Sequence, residues 1–139
     1  MRKTRWIGVL TFLALALLGL VLSGCGSVGE RRSDAETAAT GFERLLHAHD
    51  PAGLCEALAP ETRGELEESE KESCDQAITS QDLPLGGTPH HVDVYGRQAR
   101  VVLDADTLFL SLFPDGWKVV AAGCTPEPGR PYQCTIKGG

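Results

Sequence analysis

The spacing of apolar side chains changes twice along the chain. Residues 7–22 are almost wholly apolar. Between residues 35 and 49 the apolar side chains recur at helical spacing, which predicts an amphipathic helix of about four turns with Asp34 as its N-cap. From residue 92 onward apolar and polar side chains alternate, which predicts strands. The pattern therefore divides the chain into an apolar leader, a helical part and a sheet-forming part.

The helical part continues beyond the first predicted helix. Asp50-Pro51 indicates a second helix, because Asp caps a first turn well and Pro fits the first helical position. Pro60 is expected to end that second helix. Residues 61–81 are acidic and predict one or two short helices, and residues 82–89 predict a loop rich in Pro and Gly.

The sheet-forming part predicts five strands separated by turn signals. Gly96-Arg97, residues 104–106 and Pro114-Asp115-Gly116 favour tight turns, and residues 126–131 favour a longer loop. Helices followed by such a meander favour an α+β domain, with N-terminal helices packed on a curved antiparallel sheet. The predicted strands cover residues 91–95, 99–103, 108–113, 117–123 and 132–137.

The apolar leader has the parts of a secretory signal. Arg2, Lys3 and Arg5 precede the apolar run, and Leu22-Ser23-Gly24-Cys25 follows it. The small pair directly before a cysteine resembles the lipobox of bacterial lipoproteins, in which the thiol receives a diacylglyceryl group before cleavage. An uncleaved transmembrane anchor is the alternative, although the run is shorter than the ~20 residues that a span needs.

The lipobox resemblance implies three segments. Residues 1–24 would be a signal peptide, residues 25–33 the lipidated Cys25 and a short tether, and residues 34–139 the folded domain. The expected location is the extracytoplasmic face of the cell membrane, held there by fatty acyl chains such as palmitate. Two acyl chains anchor a protein stably where one is marginal.

Cleavage would also make the protein more acidic. The chain has 13 basic and 19 acidic residues, and residues 1–24 contain three basic ones and no acidic one, which leaves 10 against 19, or −9. Such a charge argues against nucleic acid as a partner and against direct adhesion to anionic lipid headgroups. The membrane contact is therefore assigned to the lipid alone.

Four cysteines remain once Cys25 is reserved for lipid. An even number in an exported protein predicts disulfides. Four cysteines allow three pairings, and we expect Cys55–Cys74 and Cys124–Cys134 because each pair lies within one local unit. No C-x-x-C spacing occurs, which argues against zinc binding and thioredoxin-like redox chemistry.

The order of elements over residues 34–137 resembles small exported actinobacterial proteins with an NTF2-like fold. The resemblance rests on the Asp115-Gly116-Trp117 turn into a strand and on Cys134 following closely after Cys124. It implies a cone in which helices and a bent sheet enclose a pocket. Members of this fold include isomerases, hydrolases, dehydratases and non-catalytic binding or assembly modules, so the fold does not decide the function.

The first predicted strand carries the candidate pocket residues. His91, Asp93 and Tyr95 alternate and so share one face of the sheet. This row could supply an acid and a base inside a cone, or it could be a solvated strand face. We expect the solvated face, with Val92 and Val94 turned toward the helices and more buried than Asp93. Asp104 and Asp106 are interpreted as ordinary turn residues.

No cofactor or metal site is predicted. His90 and His91 are adjacent on a strand and point to opposite faces, and His47 and His49 diverge by about 200° around a helix. The chain lacks a phosphate-binding loop and a calcium loop. The aromatic side chains of the sheet are expected to build the core and the pocket lining: Phe109, Phe113, Trp117 and Tyr132.

These patterns favour a non-enzymatic function. The leading hypothesis is a membrane-anchored extracytoplasmic lipoprotein that binds a small apolar ligand or an envelope protein. The alternative is a hydrolase or isomerase acting on a hydrophobic small molecule, which a buried carboxylate beside a His or Tyr in the pocket would favour. The third hypothesis is a purely structural envelope protein, which would be favoured if the protein's own side chains fill the cone.

Overall fold

The fold consists of helices followed by an antiparallel sheet. Residues 26–138 are described by the structure, a computed structural model; Cys25 and the predicted signal peptide of residues 1–24 lie outside the described residues. Neighbouring strands pair in chain order, and the helices pack on the open, curved sheet, so the predicted α+β fold is confirmed. The elements are α1 Val28–Ala48, α2 Pro51–Ala57, α3 Pro60–Glu70, α4 Cys74–Thr79, β1 Pro89–Tyr95, β2 Gln98–Leu103, β3 Thr107–Phe113, β4 Gly116–Glu127 and β5 Arg130–Lys137.

The first helix begins earlier than its apolar pattern predicts. The prediction that Asp34 caps α1 is wrong, because Ser27 is the N-cap. Ser27 Oγ accepts from the Glu30 amide at 3.1 Å, and the Glu30 carboxylate accepts from the Ser27 amide at 2.6 Å, which is a capping box. Most of the segment predicted as a tether is therefore helical. With 21 residues, α1 is about 30 Å long.

The corner between α2 and α3 also differs from the prediction. Asp50 caps α2 as expected, with Oδ1 accepting from the Gly53 amide at 3.0 Å. Pro60 does not end α2; it opens α3, where its missing N–H forfeits no helical hydrogen bond. The Ala59 amide donates to the Val119 carbonyl at 2.8 Å, which attaches this corner to β4.

Both disulfides have the predicted pairing. Cys55–Cys74 joins α2 to α4. Cys124–Cys134 joins β4 to β5 at directly opposite positions. The two strands extend further than predicted, to Glu127 and from Arg130, so the expected long loop is a tight turn.

The protein's own side chains fill the space between the helices and the sheet. Along β3, Leu108 and Leu110 are fully buried while Phe109 between them is partly exposed, so the predicted alternation is present. Of the four predicted core aromatics only Trp117 is buried; Phe109 and Tyr132 instead meet edge to face, with ring centroids 5.1 Å apart. The largest fully buried side chains are Phe42, Leu108, Leu110, Val101 and Val119.

Candidate functional site

An apolar cleft of about 270 Å³ lies between the helices and the loop that joins α4 to β1. Leu54 and Ile78 are buried at its base, whereas Leu85 is 53% exposed. His49 is the one titratable side chain among the described residues that line it. We call this site the apolar cleft; it is lined by Leu46, His49, Pro51, Leu54, Ile78, Thr79, Gln81, Leu83 and Leu85. Its size is close to the lower limit of about 300 Å³ for ligand pockets.

Two buried carboxylates lie beside the loop that forms one wall of the apolar cleft. Glu43 on α1 is 5% exposed, and its Oε2 accepts from the Gly86 amide at 2.7 Å. Asp106 is 6% exposed, and its carboxylate accepts from the Thr107, Gly123 and Cys124 amides at 2.6, 2.9 and 2.7 Å. Asp106 thus stands in a turn, as predicted, but it also ties that turn to β4.

Glu43 was not among the candidates that the sequence suggested. It follows Ala35 and Ala39 at intervals of four residues, so it lies on the apolar stripe of α1, and all three residues are buried. A charged residue on an apolar stripe was therefore the available signal. What its partner would be could not be predicted, because Gly86 is 43 residues away in sequence.

Burial raises the pKa of both acids. For Glu43 the negative charge of Asp106 adds to this effect, whereas the amides of Gly86 and Gly87 and the side chain of His47 oppose it. For Asp106 burial raises the pKa against the opposing effect of its three amide hydrogen bonds. The two acids differ in one respect: Glu43 Oε1 is buried and makes no hydrogen bond of good geometry within residues 26–138, although the Gly87 amide is near enough to lower the pKa of the carboxyl.

The predicted pocket residues lie in a different place, at a polar groove of about 330 Å³ between α1 and β1. His91 Nε2 is 3.0 Å from Asp93 Oδ1, and Arg100 donates to Asp93 Oδ2 through Nε at 3.0 Å and Nη2 at 2.5 Å. Tyr95 is exposed and does not line this groove. The groove is lined by Arg32, Glu36, Pro89, His90, His91, Val92 and Asp93.

His91 and Tyr95 of the predicted row are exposed, whereas the Asp93 side chain is partly covered and its pKa is lowered. The side chain is 21% exposed, because Arg100 lies directly opposite on β2 and covers it. The hydrogen bond from Arg100 is the main cause that holds the pKa of Asp93 below its usual value, with His91 adding to it. Val92 and Val94 pack against the core as predicted, but all three residues are partly buried. Asp93 is therefore an ionised hydrogen-bond acceptor rather than a base poised near neutrality.

The histidines of β1 serve separate contacts. His90 Nε2 is 3.0 Å from the Leu103 carbonyl, whereas His91 contacts Asp93. Within residues 26–138, no group of three or more His, Cys, Asp or Glu side chains is placed to hold a metal ion.

The chain has no counterpart in comparisons with known proteins. No family model matches it, and neither a curated protein nor a solved structure matches it. Its function is therefore inferred from the two grooves and the two buried acids.

Proposed function

We propose that the protein is a lipid-anchored extracytoplasmic binding module, with an NTF2-like domain that takes a small apolar ligand in the apolar cleft. The observation that supports binding is the cleft itself, with five Leu and Ile side chains around one concavity and Leu85 partly open to water. Covering apolar surface of this kind is favourable by about 25 cal/mol per Å². The helices followed by a curved five-stranded meander support the NTF2-like part of the proposal.

The position of the cleft bears on where its ligand comes from. Cys25 precedes α1 by three residues, and the cleft lies at the opposite end of this helix, near Leu46 and His49. The helix is about 30 Å long, whereas acyl chains within one membrane leaflet span about 15 Å. The protein's own lipid is therefore too short to fill the cleft, and the ligand is expected to be a separate molecule.

The enzyme alternative is less well supported, because the predicted pair His91 and Asp93 is apart from the apolar cleft, and the described residues that line the cleft include His49 but no carboxylate. The pair His91 and Asp93 borders the polar groove, which Glu36 of α1 also lines. Leu46, which lines the cleft, is ten residues further along α1, or about 15 Å. A catalytic base must lie within hydrogen-bond reach of its substrate. A ligand that fills 270 Å³ would not contact both places.

The purely structural alternative draws support from the filled interior. The apolar cleft lies outside the packed region between the helices and the sheet. It is bordered by α1, α2, α4 and the loop that follows α4. The cleft therefore remains the feature that favours a binding function over a structural one.

The cleft can be tested with N-phenyl-1-naphthylamine, a neutral apolar fluorescent probe. The chain from Gly26 onward is suitable, since it contains the whole core and both disulfides. Leu85→Ser should weaken binding about threefold or more, which corresponds to losing roughly 0.7 kcal/mol of apolar contact. Val28→Ser is the matched control, because Val28 is also 53% exposed but lies at the far end of α1. Equal binding by wild type and Leu85→Ser, or no binding by wild type, would contradict the proposal.

The lipid anchor is tested separately. Cys25→Ser in the full chain should abolish lipid labelling and either release the protein or leave the precursor uncleaved. A processed Ser variant that still carries lipid label would refute the anchor without affecting the cleft.

A further inference from the structure

The loop between α4 and β1 carries part of the apolar cleft, and its Gly86 amide is held by a buried carboxylate of α1. Leu83 and Leu85 of this loop line the cleft, and the next residue, Gly86, donates its amide to Glu43. We propose that Glu43 is a pH-dependent latch that holds this loop and thereby keeps one wall of the apolar cleft in place. The effect on a ligand rests on the proposed function, whereas the effect on the loop does not.

The latch has a tight and specific geometry. Gly86 is buried between the two acids: a Cβ on it would lie 3.0 Å from Glu43 Oε1 and 3.1 Å from the Cβ of Asp106. Its carbonyl accepts from the Ala105 amide at 2.9 Å on the side of the sheet. Displacing the loop therefore means withdrawing Gly86 from between α1 and the β2–β3 turn.

The neighbours of Gly86 show what would move. Leu83 packs against the core, and Thr88 donates its amide to Asp104 Oδ2 at 3.0 Å, so the loop is attached on both sides of the latch. Leu85, directly beside Gly86, is the exposed apolar side chain of the cleft wall, at 53%. Release of the Gly86 amide would therefore displace Leu85 and open that wall.

The unpaired oxygen explains why the latch responds to protons. A buried carboxylate oxygen without a hydrogen bond is unfavourable while the group is ionised, and opening the loop would let water reach it. Protonation removes that charge and favours the closed loop.

Linkage gives the direction of the response. Burial raises the pKa of Glu43 with the loop closed, and an opened loop would return it toward the ordinary value of 4.5. The closed form therefore binds a proton more tightly, so acid closes the loop and rising pH opens it. The response lies between 4.5 and the raised value.

Other charged groups around the latch modulate this response. Asp106 raises the pKa of Glu43 further, and His47, one turn along α1, lowers it. Asp104 contacts the far side of the loop at Gly87 and Thr88. Glu43 is distinguished from them because it alone bonds to the Gly86 amide through a side chain in the described structure.

The first test measures hydrogen exchange of the Gly86 amide by NMR between pH 4 and pH 7.5, corrected for intrinsic exchange rates. In wild type, protection should fall as the pH rises, by at most about tenfold per pH unit for one proton. Glu43→Gln retains an acceptor for this amide but cannot ionise. Protection of the Gly86 amide in this variant should therefore stay high over the whole pH range, apart from any pH dependence due to Asp106. Glu36→Gln, two turns earlier on an exposed part of α1, is the control and should keep the wild-type slope. The latch is refuted if Glu43→Gln keeps the wild-type slope, or if wild-type protection rises with pH.

The second test follows binding of N-phenyl-1-naphthylamine over the same pH range. Wild type should bind more weakly as the pH rises, whereas Glu43→Gln should not. Gly86→Ala places a Cβ 3.0 Å from Glu43 Oε1, so the loop and the acid must move apart; this variant should show weaker protection and weaker binding than wild type at low pH, with buried Trp117 reporting that the domain is folded. If the probe never binds but Gly86 protection depends on Glu43, the binding function fails and the latch stands. If the probe binds with no Glu43-dependent slope in affinity or protection, the latch fails and the binding function stands.

Discussion

Removal of the Cys55–Cys74 disulfide should destabilise the domain more than removal of Cys124–Cys134. The sequence separations are 19 and 10 residues, respectively. The loop-closure relation converts these separations into about 3.2 and about 2.7 kcal/mol of stabilisation. Loop length alone therefore predicts a modest difference in the expected order.

Burial widens the difference. Cys55, Cys74 and Cys124 are buried, whereas Cys134 is partly exposed. Replacing a buried cysteine with alanine deletes one atom from the packed interior, which we set at about 1 kcal/mol by analogy with a buried methyl group. The double alanine variants should then lose about 5 kcal/mol for the helical pair and about 4 kcal/mol for the strand pair.

Urea unfolding of the chain from Gly26 onward measures both losses. Trp117 is buried and is the single tryptophan of this chain, since the other one is Trp6, so its fluorescence reports unfolding of the core. With a slope of about 1.5 kcal/mol per molar urea, the two midpoints should differ by about 0.7–1 M. Equal midpoints, or a lower midpoint for the strand-pair variant, would show that neither loop length nor burial decides the contribution of these bonds.

Three further results are expected. Because the folded state lowers the pKa of Asp93, its stabilising contribution is present above the ordinary pKa of 3.8 and is lost as the pH falls through the lowered value. Arg100→Gln should therefore move the Asp93 titration, followed by carboxyl NMR, up toward 3.8, and an unchanged midpoint would contradict the pairing. Ser27→Ala removes the capping box and should cost about 1 kcal/mol, seen as faster amide exchange in the first turn of α1 and not in its centre. At pH 7, Glu43→Gln should raise the urea midpoint and Asp106→Asn should lower it; shifts in the same direction would refute the distinction drawn between these two acids.

The elements that were predicted correctly depend on local pattern. The β2–β3 region was predicted correctly because apolar side chains recur at alternate positions over residues 99–112. The turn residues Asp104 to Asp106 interrupt this alternation and separate the two strands. The disulfide pairings follow for a related reason, since each bond joins cysteines that are close in sequence, 19 residues apart across α3 and 10 residues apart across the β4–β5 turn. Short-range patterns were sufficient for these features.

The errors arise where tertiary contacts or competing signals decide. Ser27 and Asp34 are both good N-caps, and the reciprocal bond to Glu30 favours the earlier one. Pro60 can end one helix or begin the next. The hydrogen bond between Ala59 and Val119 fixes the residue before Pro60 to β4, and a helix begins at Pro60. The partial covering and the lowered pKa of Asp93 depend on Arg100 from the next strand. None of these partners is visible in the local apolar spacing.

The hydrogen bonds of the two buried acids differ, and this difference indicates that Glu43 is functional and Asp106 structural. Asp106 accepts three backbone amides, so its carboxylate replaces hydrogen bonds that β4 would otherwise lack, and an Asn amide group would turn donors toward donors there. Glu43 holds one amide with Oε2, and its Oε1 makes no hydrogen bond of good geometry in the described chain, so an uncharged Gln would keep the bond to Gly86 and remove the buried charge. Burial raises its pKa, so the unfavourable ionised state develops as the pH rises above 4.5, and wild type and Glu43→Gln should converge in stability as the pH falls to that value. An ionised residue that destabilises the fold at pH 7, at a position where an uncharged side chain would make the same hydrogen bond, is typical of a functional position. That reasoning places the regulation of the apolar cleft at Glu43 rather than at Asp106.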